Sequence, residues 1–506
     1  MASCTTNMSR PLLSRTFERV RRVVEPVFLG DGLKAKVFRG GAWLGSGNVA
    51  EQAVRFGRNM VLTRLLAPEA FGAMAIVLSA SSVLQSFTDI GVREGLVQNP
   101  SGSEDHFVDT AWWLGFGRAV SLAAVLFAVA PLVARFYGNT ELTALLRLSC
   151  AGVVIGGVSS PRAFVAMKEM KFAKLAAISN IGGICGVAIT VILSFVMRDV
   201  WALVIGSCAE SAARTALSYV FCPYVPSLRW NKDAARDLLR FSRGLFGLSL
   251  LNLVFARADI FVLAKLYSPA TLGLYTMAIY LVQTPANFVM NMLGQTLMPA
   301  FSQIQGDAQR TNRVLVQATS LIVVLGLPAL TFVLFCGRSL LALAYGPRYS
   351  ALTGALVLAS CVALVNLMNG QITTVFYARG FPQLHRTAVA VMAVAMVLTV
   401  YPLAKWLGPD GGQWACLIAV ILGLLLQIAR VRGLTGLDLG LYGNGALPAL
   451  LASTGVVAFS LLTRAFTVPA RPAVNVAFGA FGCLLAYLLV FAFLMRRQAD
   501  PSQKSL

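Results

Sequence analysis

Apolar segments of about 20 residues, the length that an α-helix needs to cross the hydrocarbon core of a bilayer, recur along this chain with short connections between them. Only 12% of the residues are charged, about half the usual share in a soluble protein. The sequence therefore predicts an all-α polytopic membrane protein. Hydropathy places about 14 transmembrane helices near residues 40–65, 69–91, 110–134, 142–166, 173–197, 200–221, 242–265, 270–297, 312–336, 350–377, 386–406, 412–430, 445–466 and 473–495.

Basic residues are distributed unevenly between the two sides of these predicted spans. With the N-terminal tail in the cytoplasm, 27 of the 42 Lys and Arg residues fall on the cytoplasmic side and ten on the external side, with five inside spans. Cytoplasmic loops carry the excess of positive charge in membrane proteins, so we expect both termini to be cytoplasmic. The net charge of +21 then reflects topology and a basic cavity, and nucleic acid is not an expected partner.

Two parts of the chain repeat each other. Residues 39–72 align with residues 240–273 at an offset of 201. Because six predicted spans separate the copies, both would face the same way, which predicts two halves around a pseudo-twofold axis along the membrane normal. The identical pairs are Arg39/Arg240, Leu44/Leu245, Val61/Val262, Leu62/Leu263, Leu65/Leu266, Pro68/Pro269 and Gly72/Gly273, and Arg64 matches Lys265.

The repeat and the charge pattern divide the chain into four parts. We expect a basic cytoplasmic tail over 1–37, an N-terminal six-helix half over 38–225, a C-terminal six-helix half over 226–432, and helices 13 and 14 with a short tail over 433–506. Transporters built from two such halves bind substrate between them and open alternately to each side.

The first span carries charges near its middle. Glu51, Arg55 and Arg58 are spaced i, i+4, i+7, so a helix places them on one face. An Arg at the bilayer centre costs about 2.5–3.5 kcal/mol on insertion scales, so this face should line water or protein. In the second copy, Arg257 and Asp259 lie at the matching depth. We expect Arg55, Arg58 and Arg257 to line a basic cavity; the alternative, a neutral Glu51–Arg55 pair, leaves Arg58 unexplained.

Other polar residues inside spans have two interpretations each. Arg118 lines the cavity or extends to the nearer membrane surface. Asn287 and Asn291, one helical turn apart, form a sugar-binding wall or make hydrogen bonds between helices. Glu210 and Arg214 either neutralise each other as a structural ion pair or belong to the substrate cavity. The acidic residues at membrane depth, which are the candidate ion-coupling sites, are Glu51, Asp89, Glu210 and Asp259.

The sequence gives no indication of a cofactor or metal site. No Walker A motif (GxxxxGK[ST]) occurs, so we expect no internal ATP site. With only two His residues, a His-rich metal site is excluded. Energy for transport would come from an ion gradient or from the gradient of the substrate itself.

The runs FRGGAWLGSGN, LTRLLAPEAFGAMAI and FTDIGVREGLVQNP resemble the start of bacterial lipopolysaccharide and exopolysaccharide flippases. These form the polysaccharide exporter branch of the multidrug/oligosaccharidyl-lipid/polysaccharide exporter superfamily. The resemblance implies alternating-access translocation of undecaprenyl-pyrophosphate-linked oligosaccharide across the bacterial inner membrane for polysaccharide biosynthesis. It also implies a basic cavity formed largely by spans 1, 2, 7 and 8. Membrane lipids, a polysaccharide polymerase and chain-length machinery are further candidate partners.

Two competing functions fit the sequence less well. A cation-coupled multidrug antiporter of the same superfamily would favour acidic cavity residues and about 12 spans. A polysaccharide polymerase or ligase would require a large external loop with catalytic groups, whereas the predicted external connections are short. We therefore predict a transporter and not an enzyme.

Overall fold

The computed structural model describes residues 51–87, 95–97, 99–227, 230–242, 246–438, 440, 472–477, 479–482, 484–485 and 488. Its longer elements in the first half are α1 (51–65), α2 (Pro68–Phe87), α3 (Asp105–Tyr137), α4 (Glu141–Gly157), α5 (Arg162–Lys168), α6 (Phe172–Met197) and α7 (Val200–Phe221). They continue as α8 (Lys232–Ser242), α9 (Phe246–Leu266), α10 (Pro269–Gln303), α11 (Ala308–Tyr345), α12 (Thr353–Ala378), α13 (Pro382–Leu407) and α14 (Gly411–Thr435). Short 3₁₀ helices cover Pro100–Ser103, Pro347–Leu352 and Gly408–Asp410.

The predicted all-α class is confirmed, since the described residues form helices and no strand. By length and composition, seven helical stretches in these ranges could cross a membrane, or eight if α4 and α5, bent by 55°, count as one span. One stretch, Pro382–Thr435, contains both α13 and α14. The count of 14 spans stays a prediction. The tail over 1–37 and most of 433–506 lie outside the described residues.

Proline sets the break between the first two helices of each repeat copy. Pro68 begins α2 and Pro269 begins α10. Proline lacks an N–H and favours the first turn of a helix, where no intrahelical hydrogen bond is lost. Ser268 caps α10, because its side chain accepts a hydrogen bond from the backbone N–H of Thr271. Two helical hairpins, α1–α2 and α9–α10, result at matching positions of the repeat.

The two hairpins contact each other backbone to backbone. A Cβ added to Gly72 would overlap the carbonyl oxygen of Pro269, and a Cβ added to Gly273 would overlap the carbonyl oxygen of Pro68. We call these four residues the glycine crossing. Each repeat-matched glycine thus contacts the proline of the other copy. The largest buried apolar cluster includes Leu62, Leu66 and Phe71 of the first hairpin and Leu263, Leu272 and Tyr275 of the second.

The matched cations at the ends of α1 and α9 also make matched contacts. Arg64 Nη2 donates to the carbonyl oxygen of Leu343, 3.0 Å away near the C-terminus of α11. Lys265 Nζ donates to the carbonyl oxygen of Phe136, 2.5 Å away at the C-terminus of α3. The carbonyl groups at a helix C-terminus carry partial negative charge and attract cations. The first helix of each repeat copy therefore reaches a helix of the other predicted half.

Candidate functional site

Four charged side chains from two distant helices form one network, which we call the charge cluster: Glu51, Arg55, Glu210 and Arg214. Arg55 Nη2 lies 3.0 Å from Glu51 Oε1 and also pairs with Glu210. Arg214 Nη2 lies 2.7 Å from Glu51 Oε1 and 3.0 Å from Glu210 Oε1. Ser179 Oγ of α6 donates to Glu51 Oε2 at 2.9 Å. Two positive and two negative charges therefore neutralise each other.

Glycine residues of α6 make room for the charge cluster. A Cβ on Gly182 would overlap the Arg214 side chain, and a Cβ on Gly186 would overlap that of Glu210. A Cβ on Gly183 would lie 3.4 Å from Glu51 Oε1. The bare backbone of α6 thus lets α1 and α7 bring their charges together beside it.

The charge cluster changes the interpretation of two sequence features. The sequence suggested one neutral pair within α1 and another within α7, and the structure joins both into a single cluster. Arg55 forms ion pairs with two carboxylates, Glu51 and Glu210. Its contacts in this structure therefore agree with the alternative in which Arg55 is neutralised within the protein. Its role in substrate binding stays a prediction, as do the ion-coupling roles of Glu51 and Glu210. The sequence analysis missed the three glycines of α6, which could have indicated a close approach of neighbouring helices.

We expect the substitution Arg55→Ala to destabilise the protein, because Glu51 and Glu210 would then share the single cation of Arg214. Removing one partner of a buried ion pair costs about 3–5 kcal/mol; the Arg55 side chain is 22% exposed, so we expect about 2–4 kcal/mol after allowing for solvent screening. Thermal unfolding of the purified protein measures the effect. The double variant R55Q/E210Q, which removes one charge of each sign, should recover much of the loss.

The matched control is R162A, which breaks the exposed ion pair with Asp105 at the start of α3. Surface ion pairs contribute about 0–1 kcal/mol, so this variant should unfold at nearly the native temperature. Equal shifts for R55A and R162A would rule out a stabilising role for the charge cluster.

Arg58 differs from Arg55 although both lie on α1. Its Nε donates to Asn59 Oδ1 at 3.2 Å, and within the described ranges no carboxylate lies at ion-pair distance. The side chain is partly buried. Phe56 and Met60 of α1 pack against buried residues of α10 and α11, and Tyr280 of α10 and Glu210 of α7 lie within electrostatic range of Arg58. The structure thus places a cation without an ion-pair partner beside the second hairpin.

Arg257 and Asp259 occupy different environments on α9. Arg257 is partly buried and pairs with no carboxylate of the described chain. Asp259 is buried, with 6% exposure, and accepts a hydrogen bond from Tyr275 Oη at 2.8 Å. Gln413 Nε2 of α14 donates to the same Tyr275 oxygen at 2.9 Å. Asp259 therefore has a neutral hydrogen-bond partner and forms no ion pair with a described residue, although Arg257 lies within electrostatic range of it.

The remaining predicted site residues are separated in space. Arg118 Nη2 donates to the carbonyl oxygen of Gln85 at 3.2 Å, and both residues line a cavity of about 480 Å³. Asn287 and Asn291 lie exposed along α10, and neither makes a hydrogen bond with another described residue. This arrangement leaves their amides available to a ligand. Asp89 lies outside the described residues.

Long apolar helices with charges buried among them define a multi-pass membrane protein. The chain belongs to the polysaccharide biosynthesis protein family, whose sequence model matches residues 61–354. The family that the N-terminal motifs indicated is thereby confirmed.

Among its relatives, the lipopolysaccharide biosynthesis protein WzxC of Escherichia coli (strain K12) is 23% identical over 403 residues, which cover 78% of this chain and 79% of WzxC. The succinoglycan biosynthesis transport protein ExoT of Rhizobium meliloti (strain 1021) is 25% identical over 268 residues, 53% of this chain and 54% of ExoT. The lipid II flippase MurJ in an inward closed conformation superimposes with a TM-score of 0.73 at 12% identity, covering 90% of this chain and 99% of MurJ. At this identity the likeness to MurJ concerns the fold.

Proposed function

We propose that this protein flips undecaprenyl-pyrophosphate-linked oligosaccharide repeat units across the bacterial inner membrane for exopolysaccharide or lipopolysaccharide biosynthesis. The observation that carries the proposal is that Arg58 on α1 and Arg257 on α9, at similar depth in the two repeat copies, form no ion pair with a described carboxylate. A pyrophosphate group could supply an ion-pair partner to both. Guanidinium groups suit this task because their planar fork binds phosphate oxygens through two hydrogen bonds.

We further propose that the chain forms two six-helix halves, with a C-terminal helix pair and a total of 14 spans. The reciprocal contacts of the glycine crossing support a pseudo-twofold relation between the halves. So do the exchanged hydrogen bonds from Arg64 to Leu343 and from Lys265 to Phe136. The charge asymmetry supports an orientation with these contacts on the external side and both termini in the cytoplasm. The substrate would then enter from the cytoplasm and leave on the other side.

The sugar part of the substrate requires neutral polar groups. Asn287 and Asn291 offer amide donors and acceptors along one face of α10, the helix that packs beside α1. Amides pair well with hydroxyl groups, which both donate and accept. A cation-coupled drug antiporter would instead need unpaired carboxylates facing its substrate, and two of the four candidate carboxylates are neutralised in the charge cluster. This observation favours the anionic substrate.

Among the candidate coupling carboxylates, Asp259 fits the role best. Glu51 and Glu210 are each bound by arginines, whereas the described partner of Asp259 is the neutral phenol of Tyr275. A buried carboxylate that forms no ion pair is costly in an apolar environment, and a cation bound beside it offsets that cost. We propose that Asp259 links transport to an ion gradient.

One experiment tests the function and the coupling together. The full chain is reconstituted into vesicles with an undecaprenyl-pyrophosphate oligosaccharide that carries a fluorescent sugar, and a membrane-impermeant quencher reports which leaflet holds the sugar. We expect faster movement than in protein-free vesicles and a further increase under an imposed proton or sodium gradient. D259N should keep the basal movement and lose the increase.

The control variant D105N alters an exposed carboxylate at the start of α3 and should behave as the native protein. Movement no faster than in protein-free vesicles would refute the flippase function. Full gradient stimulation of D259N would refute the coupling role of Asp259 and leave the flippase function intact.

A further inference from the structure

Two tyrosines of the second predicted half, Tyr280 of α10 and Tyr345 of α11, lie beside α1. Tyr345 is 1% exposed, and its ring centroid lies 6.4 Å from that of Phe56 on α1. Phe56 and Met60 of α1 pack against the apolar cluster that contains Tyr345. Tyr280 lies within electrostatic range of both Arg58 and Tyr345. The two phenol groups and Arg58 therefore belong to one polar region between the predicted halves.

The hydroxyl groups of these tyrosines make no hydrogen bond within the part of the chain that the structure describes. Tyr345 Oη is fully enclosed and has no described partner. Tyr280 accepts a hydrogen bond from Thr284 through its backbone carbonyl, and its hydroxyl bonds to no described residue. Buried hydroxyl groups are nearly always hydrogen-bonded, because burial removes their water partners. An enclosed phenol without a partner is therefore a candidate ligand-binding group.

The groups in this region are suited to donating hydrogen bonds. Arg58 uses its Nε for Asn59, and neither of its Nη atoms bonds to a described residue. Arg55 and Glu210 also lie within electrostatic range of Arg58, but they pair with each other, so their charges offset. Phenol O–H groups donate to phosphate oxygens, and hydrogen bonds to a charged acceptor are the stronger kind. One cation with two neutral donors suits an anion that has several oxygen atoms.

A contact between the predicted halves closes this region. Arg64 of α1 donates to the carbonyl oxygen of Leu343 on α11, two positions before Tyr345. A ligand therefore reaches the Tyr345 hydroxyl only when α1 and α11 move apart. In the closed arrangement this hydroxyl has lost water and gained no partner, which is unfavourable, and an anion bound in the open arrangement removes that cost. Alternating access between two halves supplies such a movement.

We propose that Tyr280 and Tyr345 are substrate-binding residues, whose hydroxyl groups donate hydrogen bonds to the pyrophosphate group when α1 and α11 separate. This inference rests on the proposed function, in which Arg58 binds the same group, and it adds two neutral donors from the other half. A transported anion must also leave its site. Neutral donors hold phosphate oxygens without adding a further positive charge, so they position the anion and still allow its release.

Binding of inorganic pyrophosphate to the full chain in detergent, measured by calorimetric titration, tests the proposal together with thermal unfolding. Y280F and Y345F each remove one hydroxyl and keep the ring. We expect each variant to bind pyrophosphate about tenfold more weakly, the effect of one hydrogen bond to a charged group. Because Tyr345 Oη has no described partner to lose, Y345F should unfold at the native temperature or higher. A structural hydroxyl would instead lower the unfolding temperature when removed.

The matched control is Y349F in the 3₁₀ helix Pro347–Leu352. Tyr349 is also 1% exposed, and its hydroxyl likewise has no partner among the described residues. Its ring centroid lies 5.7 Å from that of Tyr345, but its electrostatic neighbours are Glu69 and Arg348 and not Arg58. Y349F should therefore match Y345F in thermal unfolding and bind pyrophosphate as the native chain does.

Three results would overturn the proposal: native pyrophosphate affinity in Y280F or Y345F, an equal loss of affinity in Y349F, or a lower unfolding temperature for Y345F than for Y349F. The vesicle experiment separates this inference from the function on which it rests. If the native chain moves the lipid-linked oligosaccharide and Y345F moves it equally fast at limiting substrate, the inference alone is contradicted. If the native chain moves none, but both Y280F and Y345F lose pyrophosphate affinity, the flippase function is contradicted and the anion site is supported.

Discussion

The substitution Gly273→Ala is expected to separate α2 from α10 and to destabilise the protein. A methyl group at this position would overlap the carbonyl oxygen of Pro68, and this atom belongs to the backbone and cannot rotate away. Overpacking a tight contact costs about 1–3 kcal/mol, and we expect the upper end because both surfaces are backbone. Gly72→Ala should act similarly, since its methyl group would overlap the carbonyl oxygen of Pro269.

Thermal unfolding in detergent and the amount of surface polymer in exporter-deficient cells measure these effects. The control is G294A on the same helix α10, where a Cβ meets nothing within 4 Å. Alanine is favoured over glycine in a helix by about 1 kcal/mol, so G294A should be unchanged or slightly more stable. If G273A matched G294A in both measurements, the glycine crossing would not hold the two hairpins together.

The substitution Arg58→Ala is expected to abolish polymer export while the amount of protein in the membrane stays normal. No described carboxylate pairs with Arg58, so its removal leaves no buried charge uncompensated. Hydrogen bonds to charged groups contribute about 1.5–3 kcal/mol, and two lost bonds to pyrophosphate would reduce binding about 100-fold or more. Arg257→Ala should have the same effect from the other repeat copy. R58K should keep part of the activity, because lysine preserves the charge without the fork.

The readout is surface polymer in cells that lack their own exporter, with the membrane level of each variant measured in parallel. The control is R147A on α4, whose exposed guanidinium lies 4.3 Å from the ring centroid of Phe127. R147A should export normally. Normal export by both R58A and R257A would refute the proposal that these cations hold the substrate. Loss of the R58A protein from the membrane would instead indicate a structural role, as we expect for R55A.

The positions of the long apolar helices among the described residues could be predicted from the sequence because hydropathy is a local property, whereas the short charged helix α8 gives no hydropathy signal. The breaks at Pro68 and Pro269 were visible for the same reason, since a proline acts on its own turn. The repeat also indicated that Gly72 and Gly273 occupy equivalent places. It did not indicate that the two glycines lie against each other's prolines, because that contact depends on how two hairpins cross.

The charge cluster shows where prediction from the sequence stopped. Local spacing paired Glu51 with Arg55, but the strongest partner set spans α1 and α7, and 155 residues separate Arg55 from Glu210. A charged residue inside a predicted span is expected to face protein or water and not lipid. Its position in the sequence does not identify the distant residue that neutralises its charge. The sequence offered Arg55 a local partner in Glu51 and none to Arg58, but only the structure shows that Arg55 forms ion pairs and Arg58 forms none with a described carboxylate. The cavity beside Arg118 could not be predicted either, since its lining depends on how α2, α3, α4 and α7 pack together.

The long separation within the charge cluster has a consequence for biogenesis. Chains are synthesised at about 5–20 residues per second, so the ribosome completes Glu210 roughly 8–30 s after Arg55, which lies 155 positions earlier in the chain. During this interval α1 carries Glu51, Arg55 and Arg58 without their final neighbours. The insertion machinery must therefore retain or shield α1 until α7 emerges. Slowing translation between these two helices should increase degradation of the nascent protein, and the R55Q/E210Q chain should be less sensitive.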